Sequence, residues 1–295
     1  MRFGSIRAQS KLRASLMRLS VQSLESAGAP EARGAGHRAR LVIPAAHIPE
    51  HSPFLVMAED WFAPPAGFPT HPHRGIETVT FVVSGELVHA DHTGGAGRLG
   101  AGDVQFMTAG GGVMHSEMPG PEGVHTLQLW LNLPARLKRV RARYQNVVAA
   151  DAPALREPGL EARLYAGKLG DLAAPFATVW PMTLIDLKLE PGAGFEAPVP
   201  MGQRVFALIL DGQAALGAEK RASEAGDVAW AAVSPGGDGF DALPLVAGAA
   251  PARVLVFASP IIDEPVAIGG PFVMNTQEEI LEAFADLRAG RLTAV

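Results

Sequence analysis

The chain has no cysteine among its 295 residues, so disulfides, thiolate metal sites and cysteine nucleophiles are all excluded. Any transition-metal site must be built from imidazole and carboxylate, and the reducing cytoplasm is the expected setting. Charge of either sign is scarce as well. The formal net charge is −5 and charged residues make up 19% of the chain, without the basic excess of a nucleic-acid binder. No apolar run approaches the roughly 18 to 20 residues that span a bilayer, so no membrane segment is expected. Acidic residues are missing from the first 24 positions, where Arg2, Arg7, Lys11, Arg13 and Arg18 stand without a counter-charge before Glu25. Such a start suits a transit peptide, but the stretch has no strong apolar face. Residues 1–30 are therefore expected to be a basic, disordered extension, or the product of a start upstream of Met17.

Gly (33) and Pro (24) are plentiful, as short strands joined by tight turns require. Thr78 to Val83, Leu127 to Leu133, Met182 to Leu189, Val205 to Leu210 and Arg253 to Ala258 are runs of strand length rich in Val, Ile, Leu and Phe. Only the tail from Thr276 to Leu287 reads as a helix, with Thr276 and Glu279 placed as a capping box and Gly290 as a stop. The fold expected is all-β with one short C-terminal helix.

A weak internal repeat, anchored on two expected glycine turns at Gly85 and Gly212, supports two β units. Ser84-Gly85-Glu86-Leu87 after Val79 to Val83 is matched by Asp211-Gly212-Gln213-Ala214 after Phe206 to Leu210, and Gly102-Asp103-Val104 by Gly226-Asp227-Val228. The Ala- and Pro-rich stretch from Gln145 to Gly159 is the expected linker, dividing residues 31–150 from 151–295. All nine histidines lie at or before His125. His71 and His73 precede Gly85, and the same offsets before Gly212 fall on Pro198 and Pro200, so a metal site belongs to the first unit alone.

His71-Pro72-His73 places two imidazoles at i and i+2, facing the same way on a strand. After Gly110-Gly111-Gly112, His115 and Glu117 repeat that spacing with an imidazole and a carboxylate. Two such pairs on neighbouring strands can close on one ion. Three neutral nitrogens and one anionic oxygen suit a divalent first-row metal and leave positions open for water, substrate or dioxygen.

The His-x-His pair, a glycine turn and a later histidine resemble the cupin superfamily, except that the usual carboxylate position falls on Thr78. Glu77 is then expected to point away from the ion. The strings His71-Pro72-His73-Arg74-Gly75-Ile76-Glu77-Thr78, Gly102-Asp103-Val104-Gln105-Phe106-Met107-Thr108-Ala109-Gly110, His115-Ser116-Glu117, Leu127-Gln128-Leu129-Trp130 and Gly270-Pro271-Phe272-Val273-Met274-Asn275-Thr276 resemble the pirin family more specifically. The resemblance implies two tandem cupin (jelly-roll) domains. It also implies one metal in the first of them, held by His71, His73, His115 and Glu117. Iron(II) is the ion it favours, although manganese, nickel, copper and zinc accept the same ligands. It further implies a quercetin 2,3-dioxygenase-like enzyme that opens a small aromatic, flavonol-like substrate with O2, Glu117 serving as ligand and catalytic base. The alternative is a non-catalytic, metal- or redox-dependent regulatory protein, like the transcriptional coregulators of the family, with a protein partner.

Lesser candidates fill out the reading. Arg74 is expected to pair with Glu77, and His89, His92 and His125 to be exposed or hydrogen-bonded. Gln128 is expected either to hydrogen-bond a ligand imidazole or to be a core or surface amide. The basic run Arg136, Lys138, Arg139, Arg141 and Arg143 is expected to be a solvated face.

Overall fold

A computed structural model describes residues 16–294. Strands dominate, and the chain forms two cupin units. Residues 1–15 of the basic segment lie outside the described residues. Among the described residues no helix is long and apolar enough to cross a membrane.

One unit comprises residues 26–153, 174–182 and those from 261 onward. It is built on a nine-stranded antiparallel sheet centred on two long strands, Ile76–Asp91 and Val113–Asn132. Their register sets Thr78 opposite Trp130 and Thr80 opposite Gln128, while Val79 faces Leu129 and Phe81 faces Leu127. Alternation therefore gives one face that carries Thr78, Thr80, Gln128 and Trp130, partly buried, and one buried face that is wholly apolar. The expected turn at Ser84-Gly85 is instead a bulge inside a continuous strand. Gly85 adopts φ +79, and a Cβ there would sit 2.2 Å from the Gly123 carbonyl oxygen. The bulge bends the strand without ending it, so His89 and Asp91 are carried back opposite Glu117 and His115.

The other unit takes residues 154–173, 183–260 and the described residues before 26. A seven-stranded sheet there includes Thr183–Leu189, Gln203–Asp211 and Ala252–Pro260, accompanied by a four-stranded sheet. Phe206 stacks on Phe257 at 4.6 Å in its core. No metal-ligand cluster is found in it among the described residues.

The boundaries differ from those read along the sequence. Val21–Ser26, expected in a disordered extension, is a strand at the edge of the seven-stranded sheet. Residues 261–294, expected in the second unit, group with the first. Gln145 to Val147, expected to open the linker, belong to the strand Arg143–Val147, which pairs with Val104–Thr108. Strand pairing is nonlocal, and local composition carries no trace of which sheet a terminal segment joins. The helix Gln277–Arg288 forms as expected, with the Thr276 hydroxyl accepting from the Glu279 amide and Glu279 answering the Thr276 amide.

Ion pairing within the first unit gives a pH-dependent prediction. Glu59, buried, accepts from Arg40 Nε at 2.5 Å and pairs with His125 Nε2 at 2.7 Å. Burial alone would raise its carboxyl, but the His125 and Arg40 contacts outweigh it and hold it below its ordinary 4.5. A carboxyl lowered on folding stabilises the fold above its unfolded value, and that contribution is lost as pH falls through the folded one. Glu59→Gln is therefore expected to lower Tm at pH 7, with the gap to the parent closing as thermal melts are taken below about pH 4.5.

Candidate metal centre

His71 and His73 lie on the strand Phe68–His73, which pairs with Val113–Asn132 so that His71 is directly opposite His115. The rings gather closely. Centre-to-centre separations are 4.2 Å for His71 and His115, 5.0 Å for His71 and His73, and 5.1 Å for His73 and His115. Each offers one nitrogen to a cluster whose members all lie within 4.8 Å of one another.

The tautomers are fixed from behind. His71 Nδ1 donates to the Pro69 carbonyl at 2.9 Å and His73 Nδ1 to the Pro271 carbonyl at 3.2 Å, which leaves Nε2 of each ring for the ion. His73 and His115 are almost fully buried, and His73 Nε2 and both nitrogens of His115 have no hydrogen-bond partner. Burial, followed by the neighbouring imidazoles, pulls His73 down to about 3 and His115 to about 2, and burial also lowers His71. Buried imidazole nitrogens without a partner, as His73 Nε2 and those of His115 are, are costly unless an ion takes them up, and this donor set fits a divalent metal.

Glu117 is buried close by but is not part of the three-histidine cluster. Thr80 Oγ1 donates to its Oε1 at 3.2 Å and Gln128 Nε2 to its Oε2 at 2.7 Å. Burial pushes its carboxyl up to about 7 against those two hydrogen bonds. Gln128 thus partners the candidate carboxylate rather than an imidazole.

Arg74 does not pair with Glu77. Its guanidinium donates to the Gly111 carbonyl at 2.6 Å, to Asp286 at 3.0 Å and to the Leu292 carbonyl at 3.3 Å, clamping the C-terminal helix beside the glycine loop. Glu77 instead accepts from Thr108 and from the amides of Val179 and Trp180, away from the three histidines. Lys138 departs from the solvated face expected of the basic run. It is buried, and Nζ donates to Gly75 O, Asn132 Oδ1 and Val273 O. His125 stacks on Trp61 at 4.3 Å besides pairing with Glu59, and the amide of Met114 donates to His92.

Three functional neighbours escape sequence reading. Trp130 packs edge-on against His73 at 5.1 Å. The Pro271 carbonyl comes from the C-terminal segment, and its only sequence signal is the Gly270-Pro271-Phe272 string. His89, fully buried beside His115, is visible only once the strand register is known.

Two family profiles match the chain, Pirin over residues 40–131 and the Pirin C-terminal cupin domain over residues 184–293. The chain is 36% identical to human Pirin over 275 residues, covering 92% of this chain and 91% of that one. The chain belongs to the pirin family. Pirin-like protein 2 of Arabidopsis thaliana is 40% identical over 81% of this chain and 75% of its own length. A solved quercetin 2,3-dioxygenase from Acinetobacter baumannii is 30% identical, with a TM-score of 0.83 over 94% of this pirin-family chain and 98% of that one.

Proposed function

We propose that this chain is a metal-dependent dioxygenase that opens flavonol-like rings with O2, using one divalent metal, iron(II) first, held by His71, His73, His115 and Glu117. The convergence of three neutral imidazoles, with His73 Nε2 and both nitrogens of His115 buried and without a hydrogen-bond partner, carries the reading. The likeness to the Acinetobacter baumannii quercetin 2,3-dioxygenase supplies the substrate class. When bound, the metal would bring an ionised substrate oxygen and dioxygen together and stabilise the developing charge.

The chain's own groups handle the proton. The Glu117 carboxylate takes the proton of the flavonol 3-hydroxyl, and Gln128 Nε2 and Thr80 Oγ1 orient it for that transfer. The carbonyls of Pro69 and Pro271 hold His71 and His73 in the ligand tautomer. Trp130 walls the ring of His73 and excludes water on that side.

A specific observation favours a second reading, a metal-dependent regulatory protein. A cavity of about 590 Å³ is lined by Arg38, Trp61, Glu122 and His125 among others and by none of the four proposed ligands. That surface suits a partner better than it suits chemistry at the metal. Aerobic turnover of quercetin by the iron-loaded protein separates the two. The dioxygenase reading expects loss of the flavonol absorbance with release of carbon monoxide, both abolished in Glu117→Ala and His115→Ala. One bound iron per chain without turnover overturns it in favour of the regulatory reading.

A further inference from the structure

His89 is fully buried, and neither of its ring nitrogens has a hydrogen-bond partner. A buried imidazole left in that state costs stability, so a partner is to be sought among the groups around it. Most of those groups are taken. Asp91 Oδ1 accepts from Thr93 and from the Gly95 amide, and the Tyr144 hydroxyl donates to the Ala96 carbonyl. Glu117, opposite His89 across the sheet, is held by Thr80 and Gln128.

His115 is the exception. Both its ring nitrogens are also buried and unpartnered, and its ring centre lies 5.4 Å from that of His89, with the planes at 49°. The two rings share no hydrogen bond as they stand, and at 5.4 Å between centres a turn of the rings into line would bring one nitrogen of each to ~3 Å. His71 and His73 each have a backbone carbonyl behind the ring, and His115 has none. We propose that His89 fills this place when the ion is bound: neutral His89 accepts the N–H of the non-ligating nitrogen of His115 and so fixes which nitrogen of His115 faces the ion. His89 is a positioning residue, acting through His115. It stands outside the cluster of donors that could hold the ion directly. The inference rests on the metal reading of the three-histidine cluster.

The test compares His89→Phe, which keeps bulk and removes the acceptor, with His89→Gln, whose amide oxygen restores one. Nickel(II) alone is titrated calorimetrically into the metal-free full-length proteins. His89→Phe is expected to weaken binding by about 10- to 100-fold, and His89→Gln to stay within about threefold of the parent. In the zinc-loaded proteins, the His115 ring N–H resonance should resist solvent exchange in the parent and in His89→Gln, and lose that protection in His89→Phe. His89→Leu replaces His89→Phe if the phenyl ring is not accommodated. A Phe or Leu variant that matches the parent in affinity and in N–H protection overturns the assignment alone. Equal loss in the Phe and Gln variants also overturns it, since the ring itself would then be a ligand. A parent that binds no nickel or zinc overturns the metal reading beneath it.

Discussion

Replacing His115 with alanine is expected to leave the chain folded and strip it of metal, with content falling from about one ion per chain to below about a tenth. His115 lies at the centre of the cluster. It faces His71 across the strand pair and touches the rings of both His71 and His73. Its removal leaves two imidazoles, one of them partly open to solvent, and the remaining donors no longer enclose an ion. The fold should tolerate the change because both nitrogens of His115 are unpartnered in the protein alone, and a buried polar group without partners opposes folding. Elemental analysis of the purified variant, beside a thermal melt of the metal-free parent and variant, reads both expectations. Full metal content in the variant would place the ion elsewhere.

The second large effect concerns stability. Lys138→Met is expected to cost about 3 kcal/mol, which lowers Tm by roughly 6–12 °C in a chain of this size. Lys138 is 1% exposed, and its Nζ donates to Asn132 Oδ1 at 2.7 Å and to the carbonyls of Gly75 and Val273 at 3.0 Å each. Three acceptors match the three N–H donors of an ammonium, although burial pulls the group down to about 7. Methionine fills the space and satisfies none of them, leaving three buried acceptors bare. Gly75 follows the candidate ligand His73 by two residues, and Val273 lies two residues beyond the Pro271 carbonyl that accepts from that imidazole. Metal affinity should therefore fall along with stability. A melt of Lys138→Met within a degree or two of the parent would show that the acceptors find other partners.

The three histidines and the β architecture were legible in the sequence for a physical reason. Spacing at i and i+2 on a strand is a local rule, so it sets His71 with His73, and His115 with Glu117, on common faces without any knowledge of strand pairing. The capping box at Thr276 and Glu279 is local too, and the helix begins where it predicts. What stayed hidden depends on register and on long-range pairing. His89 lies opposite Glu117 only because a bulge at Gly85 keeps the strand running where a turn was expected. Arg74 reaches past its sequence neighbour Glu77 to the tail, where Asp286 and the Leu292 carbonyl lie more than two hundred positions away. The exchange of terminal segments between the two units is of the same kind, since Val21–Ser26 carries no local mark of the sheet it joins.

One measurement tests the central claim most directly: anomalous diffraction, at the metal's absorption edge, from crystals of the iron-loaded protein. A single peak per chain is expected at bonding distance from Nε2 of His71, Nε2 of His73 and one ring nitrogen of His115, with Glu117 turned from Gln128 to supply the fourth ligand. A peak on other residues, or none after loading with one equivalent of iron, would contradict the assignment.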